Sequence, residues 1–309
     1  MTGDAATSAN VPIDHALVTR LLSSQFPELA TLPLGARQEG EDNVTIRLGD
    51  DLAVRLPQRG YGATLITTEF GWLPKASAEW PFEFPRLVKR GVPEAGYPWR
   101  WSVVTWVDGI VVQDAPLSTD GARDLGEALA QVHVAVQGNA PRNPFRSTSL
   151  TSRAERFNHR LQTLTARYGD AIDSNVAHAI YRYGADQEPG PVTWTHLNLH
   201  GRDVITKDGR LSGILAWGNA AAGDPASDLG QAFTLVGGEL FEELSRAYAE
   251  AGGAAAYQGS LSAATTARVL AEAVAHAVML AGIDEDGHSR AGLAALVGLG
   301  VADADSFRP

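Results

Sequence analysis

The sequence contains no cysteine. That excludes disulfide staples and thiolate catalysis, and it fits a reducing, cytoplasmic setting. No apolar run approaches the roughly 18 residues that identify a membrane-crossing helix. The opening stretch MTGDAATSAN has no apolar core of the kind a signal peptide needs. No membrane association is therefore expected. Lysine is scarce, and 25 basic residues face 36 acidic ones, for a net charge of −11. Such a balance argues against nucleic acid as a partner. It leaves room for a cationic ligand, although an ordinary acidic surface is the commoner reason for it. Richness in Ala, Gly, Asp and Arg with little Lys is the composition expected of a GC-rich bacterium.

What is present is enough for a substantial core: 309 residues, 44% of them hydrophobic, sized for one large domain or two lobes. Residues 1–11 read as a disordered tail. Ala16, Leu17, Leu21 and Leu22 recur at helical spacing over Ile13–Phe26, with Asp14 as a cap. Two strand-like runs follow, Gly35–Leu48 and Leu52–Pro57, separated by Gly49-Asp50-Asp51. A further strand, Trp101–Trp106, precedes Asp108-Gly109. Trp99, Trp101 and Trp106 read as core packing in preference to a base-stacking set. From Leu117 the period turns helical, with Ser118 or Thr119 as cap and His133 as a core or helix-end histidine. Helices are expected over Arg153–Tyr168, Ala171–Tyr183, Leu229–Val236, Leu240–Glu250, Ala263–Leu280 and Gly292–Val301.

The densest chemistry lies between Thr193 and Asp228. Val204-Ile205-Thr206 is a short β-branched run, Asp208-Gly209 is a tight-turn pair, and Leu211–Leu215 supplies a return strand. His196, Asn198, His200 and Asp203 precede this hairpin, and Asn219, Asp224 and Asp228 follow it. Because a hairpin returns the chain to its starting point, these groups are expected to converge.

At these residues the chain resembles the aminoglycoside and macrolide phosphotransferases, small-molecule kinases whose pattern is H-G-D-L-H-P-G-N, a hairpin, I-D-W/F-G and G-D-P-x-x-D-L. His196–Asp203 lies over the first piece, Leu215-Ala216-Trp217-Gly218 over the second, and Gly223–Leu229 matches the third in full. The resemblance implies an α+β, two-lobed protein-kinase-like fold. It has a small antiparallel-sheet N-lobe (12–108) and a larger, mainly helical C-lobe (109–309). It implies that His196 and Asp228 brace the central loop, with Asp224 in the same structural set. It further implies that Asn43, Arg55 and Glu69 mark the ATP-phosphate side. The turn at Asn43 has a plain hairpin turn as its alternative reading, and the Arg55–Glu69 pair reads equally as a structural ion pair.

The chemistry inside the frame is altered. The family's proton-accepting Asp is here Asn198, its metal-holding Asn is Asp203, and its principal magnesium ligand is Ala216. Gly201 and Arg202 replace the usual Pro-Gly. An amide does not accept a proton at neutral pH, and a methyl group does not bind metal. The expectation is a phosphotransferase-like protein with a degenerate catalytic loop (Asn198, His200, Arg202, Asp203) and no metal site. It needs no cofactor, and it uses its cleft for a small molecule, cationic or a natural product, or for non-phosphoryl acid–base chemistry. Two alternatives stand beside this: an active antibiotic kinase with shifted residues, binding ATP and magnesium, or a regulatory pseudokinase with a protein partner.

Overall fold

The computed structural model describes residues 11–40, 42–76, 80–136, 138 and 140–307. Apart from Val11, the expected tail lies outside the described residues. The chain forms two compact units. One comprises residues 1–78, 83–108 and 217–219, the other residues 79–82, 109–216 and 220–309. The segment 217–219 thus departs from a simple boundary after residue 108.

In the first unit, α1 (His15–Gln25) starts where Asp14 Oδ1 accepts the Leu17 N–H at 2.7 Å. Leu17, Val18, Leu21 and Leu22 are buried, while Ala16, expected on the inner face, is exposed and Val18 takes that place. Five antiparallel strands follow: β1 (Leu34–Glu39), β2 (Asn43–Leu48), β3 (Leu52–Pro57), β4 (Leu87–Gly91) and β5 (Trp101–Thr105), in the order β1-β2-β3-β5-β4. The helix α2 (Gly60–Ala76) lies between β3 and β4 in sequence. Strand alternation sends Val44, Ile46, Leu48, Val54, Leu56, Trp101 and Val103 into one core with α1. Trp99 joins that core, and Trp106 lies under the Arg47 guanidinium at 4.9 Å. The opposite face carries Arg55, whose register partner on β5 is Ser102.

The second unit is mainly helical: α3 (Thr119–Val132), α4 (Leu150–Tyr168), α5 (Ser174–Ala185), α6 (Ala226–Glu250), α7 (Ala263–Ala281) and α8 (Asp286–Gly298). Ser118 caps α3, as its position before the helical period predicts. The two helices expected over 229–250 meet at a kink within α6, where Gly237 takes φ +75°, a conformation glycine adopts without a Cβ penalty. At the centre, α7 packs Ala271, Val274, Ala277 and Val278 against Phe157, Leu161, Leu164 and Tyr181. By length and composition α7 is apolar enough to cross a membrane, which corrects the expectation that no such stretch exists. Two-thirds of it is buried within the protein, as befits a core helix. Short strands complete the unit. β6 (Ile110–Val111) pairs with β8 (Val204–Lys207), which pairs with β9 (Arg210–Ile214), and β7 (Thr193–Thr195) pairs with β10 (Ala221–Gly223).

Candidate functional site

The hairpin of β8 and β9 turns at Asp208 and Gly209, both left-handed (φ +53° and +75°), the backbone that a two-residue type I′ turn requires. Pairing of β7 with β10 sets the loop that follows Thr195 beside the start of α6. Asp228, in the first turn of α6, is fully buried. Its Oδ2 accepts the His196 N–H at 2.6 Å and its Oδ1 the Leu197 N–H at 2.8 Å. A left-handed Leu197 (φ +65°) bends the backbone so that both amides reach the carboxylate.

The expected brace between His196 and Asp228 is therefore real in position but not in chemistry. Asp228 holds the His196 backbone. The ring that contacts Asp228 is that of His133, the C-cap of α3, whose Nε2 lies 3.1 Å from Oδ2 while Nδ1 meets the Tyr248 hydroxyl at 3.0 Å. Burial alone would push the Asp228 carboxyl up. The His133 hydrogen bond and charge, with the His196 charge and amide, outweigh it and hold the carboxyl below its ordinary value. The His196 ring instead donates from Nε2 to the Leu215 carbonyl at 2.7 Å and accepts the Asn198 N–H at Nδ1, 3.3 Å away. Those partners fix the Nε2–H tautomer.

Further along the loop, Leu199 N–H is held by Gln231 Oε1 at 2.6 Å. Asp203 is buried, and its Oδ2 lies 3.0 Å from His200 Nε2. That contact favours an imidazolium. Burial, reinforced by the cationic Arg146 nearby, wins, and His200 is held neutral, well below the usual histidine range. The His200 ring meets the His288 ring edge-on at 5.0 Å. Arg202 pairs with Glu285. The Asn198 side chain makes no hydrogen bond to another described residue.

Not every expected member joins this group. Asp224 accepts from Arg268 Nε at 2.9 Å, from Gly190 N–H at 3.2 Å and from Ala226 N–H at 2.9 Å. It ties the start of α6 to α7. Asn219 belongs to the first unit, where its Oδ1 lies 3.5 Å from the Tyr61 hydroxyl. Of the groups expected to converge, Asp228 holds the His196 amide, the Asn198 amide reaches the His196 ring, and His200 meets Asp203.

In the first unit, Arg55 Nη1 and Glu69 Oε1 form a buried ion pair at 2.6 Å. Glu69 Oε2 and the Ser102 hydroxyl, both buried, have no partner among the described residues. Asn43 closes the turn between β1 and β2, its carbonyl accepting the Gly40 N–H at 2.9 Å. It opens β2 opposite Pro57, and its Oδ1 is likewise buried without a partner.

The donor set does not suit magnesium. Residue 216 offers a methyl group, Asn198 an amide, and the Asp203 carboxylate lies against His200. Among the described residues no three His, Asp or Glu side chains are grouped to hold a metal. Magnesium asks for near-octahedral oxygen ligation, which these side chains do not supply. Ala216 itself is left-handed, φ +58°.

Sequence reasoning missed His133 as the partner of Asp228, Gln231 as the clamp on Leu199, and Arg268 as the partner of Asp224. All three lie on helices or at a helix end, distant from the loop in sequence, so no local spacing signals them.

A model described as the phosphotransferase enzyme family matches residues 35–262. The protein YcbJ of Bacillus subtilis (strain 168), itself described as uncharacterized, is 26% identical over 190 residues. That match covers 57% of this chain and 58% of YcbJ, so the chain spans little more than half of that relative's length. Among solved structures, a GDP complex of a mutant aminoglycoside 2′-phosphotransferase-IIIa superposes with a TM-score of 0.66 at 18% identity. It covers 95% of this chain and 99% of that one. The macrolide 2′-phosphotransferase MphH of Brachybacterium faecium gives 0.57 at 22% identity, covering 91% and 97%. At these identities the likeness shows the kinase-like fold.

Proposed function

Because the chain belongs to the phosphotransferase enzyme family, we propose that it is a small-molecule-binding relative of the aminoglycoside and macrolide phosphotransferases that has lost phosphoryl transfer. The observation that carries this is Ala216. A left-handed backbone costs an alanine roughly 1–2 kcal/mol, whereas Asp and Asn tolerate it better. Position 216 keeps a conformation suited to a carboxylate-bearing residue and has no carboxylate. Asn198 removes the general base as well, a group typically worth about 10²–10⁴ in rate. Phosphoryl transfer rests on positioning and on neutralising charge with metal, and both supports are weakened together. Asp203 does not replace them, because its carboxylate lies against His200.

One observation favours a second reading. His200 and Asp203, paired at 3.0 Å on the loop, are the couple that non-phosphoryl acid–base chemistry on a bound molecule would use. The test of the first reading is direct. With radiolabelled ATP, magnesium and a panel of aminoglycosides and macrolides, no transfer above the protein-free blank is expected. Transfer to any acceptor at a turnover well above the blank overturns it.

A further inference from the structure

The couple formed by His200 and Asp203 is covered by the helical unit's own chain. The Asp203 side chain is 9% exposed and that of His200 19%. What lies on His200 is the start of α8, where the His288 ring meets the His200 ring edge-on at 5.0 Å. Three residues earlier, Glu285 pairs with Arg202, which follows His200 by two residues in the loop. Glu285 Oε2 also stands 3.9 Å from His288 Nε2, so one side chain faces both the arginine and the covering imidazole. Gly287 packs on the Gln113 carboxamide, where a Cβ would collide. The Gln113 N–H in turn donates to the Gly201 carbonyl at 2.9 Å. The start of α8 is thus joined to the loop by an ion pair, a ring edge and a carboxamide.

The rest of α8 is held differently. Ala295 and Leu296 are buried in the core with α7, and Gly292 sits against the Ala281 backbone, too close for a side chain. Ala281, at the end of α7, is buried as well. Between these anchored points, none of residues 282–285 and 287–290 is fully buried. A segment of that kind opens more readily than the core on either side of it. Its ties are exposed ones. Arg202 and Glu285 are each 40% exposed in their side chains, and Asp284 pairs with Arg167 at 2.8 Å on the surface of α4. Such ion pairs are weak and are weakened further by salt.

We propose that residues 282–288 form a gate over the His200–Asp203 couple, latched by Arg202 and Glu285. The gate opens while the body of α8 stays docked on α7, and it admits a small molecule to the couple. The inference rests on the reading that this couple meets the bound molecule.

The test uses the histidines of the full chain. Diethyl pyrocarbonate acylates neutral imidazoles that solvent can reach, and mass spectrometry reads the rate at each histidine. In the parent, His200 is expected to react about tenfold or more slowly than His15 and His159, which are exposed. Glu285→Lys sets two like charges in the latch and is expected to speed His200 by about 3- to 10-fold. Adding Arg202→Glu to it rebuilds the pair with its charges exchanged and is expected to return the parent's rate. His276, buried in the same unit, reports any general loosening, and melting curves recorded in parallel show that the variants are folded. Parent His200 reacting as fast as His15 overturns the gate, as does a His200 rate unmoved by Glu285→Lys. A rise at His276 matching that at His200 also overturns it, as does a folded exchanged pair that fails to restore the rate. Phosphate transfer from ATP with the expected labelling intact would sink the proposed function and leave the gate standing. Absence of transfer with His200 labelled as fast as His15 would do the reverse.

Discussion

Replacing Asp228 by alanine removes an acceptor that three buried donors share. The His196 and Leu197 amides lose partners at 2.6 and 2.8 Å, and His133 Nε2 loses one at 3.1 Å. Each buried group left unsatisfied costs roughly 1–3 kcal/mol. Partial relaxation of the loop shares that cost, so a total loss of about 3–5 kcal/mol is expected for Asp228→Ala. For a chain of 309 residues that corresponds to a fall in Tm of roughly 5–8 °C. Urea denaturation followed by circular dichroism reads it directly. Asp228→Asn should fall between, since an amide offers one acceptor where three donors converge. Asn198→Ala, whose side chain has no hydrogen-bond partner among the described residues, should stay within about 0.5 kcal/mol of the parent. The carboxyl is held below its ordinary value, so its contribution is present above the unfolded carboxyl's range and lost as pH falls through the folded value. If Asp228→Ala unfolds within about 1 kcal/mol of the parent, Asp228 does not hold the loop.

Three further outcomes follow from the same geometry. Arg55→Ala leaves Glu69 buried and unpaired and should cost about 3–5 kcal/mol in urea denaturation, with much of it recovered in the Arg55→Ala/Glu69→Ala double variant. Ala216→Gly should raise stability by about 1 kcal/mol in the same assay, because it relieves a left-handed alanine; a loss would mean that the methyl group packs usefully. His276 is held down to about 3, while the unfolded chain takes up its proton near 6.5. Its contribution is thus full above pH 6.5 and erodes as pH falls toward 3, by up to about 1.4 kcal/mol per pH unit. In His276→Gln the stability slope between pH 6 and 4 should flatten by that amount.

Local features of the chain were legible because local chemistry decides them. Asp14 caps α1 and Ser118 caps α3 through their own side chains, and Asp208-Gly209 dictates the turn of the β8–β9 hairpin. The separation of two helices near 237 is visible because only glycine takes that φ easily. The central loop was legible as a motif, and its substitutions at 198, 203 and 216 could be read by position. Its wiring was not. Which histidine meets Asp228 depends on packing of α3 against α6, and that brings His133 across 95 residues.

The loss of metal-linked chemistry is tested most directly by titrating ATP into the protein calorimetrically, with and without magnesium. With Ala216 and Asn198 in place, weak binding that magnesium does not tighten is expected. Micromolar binding that appears only when magnesium is present would contradict the reading that the carboxylate at position 216 has been lost without replacement.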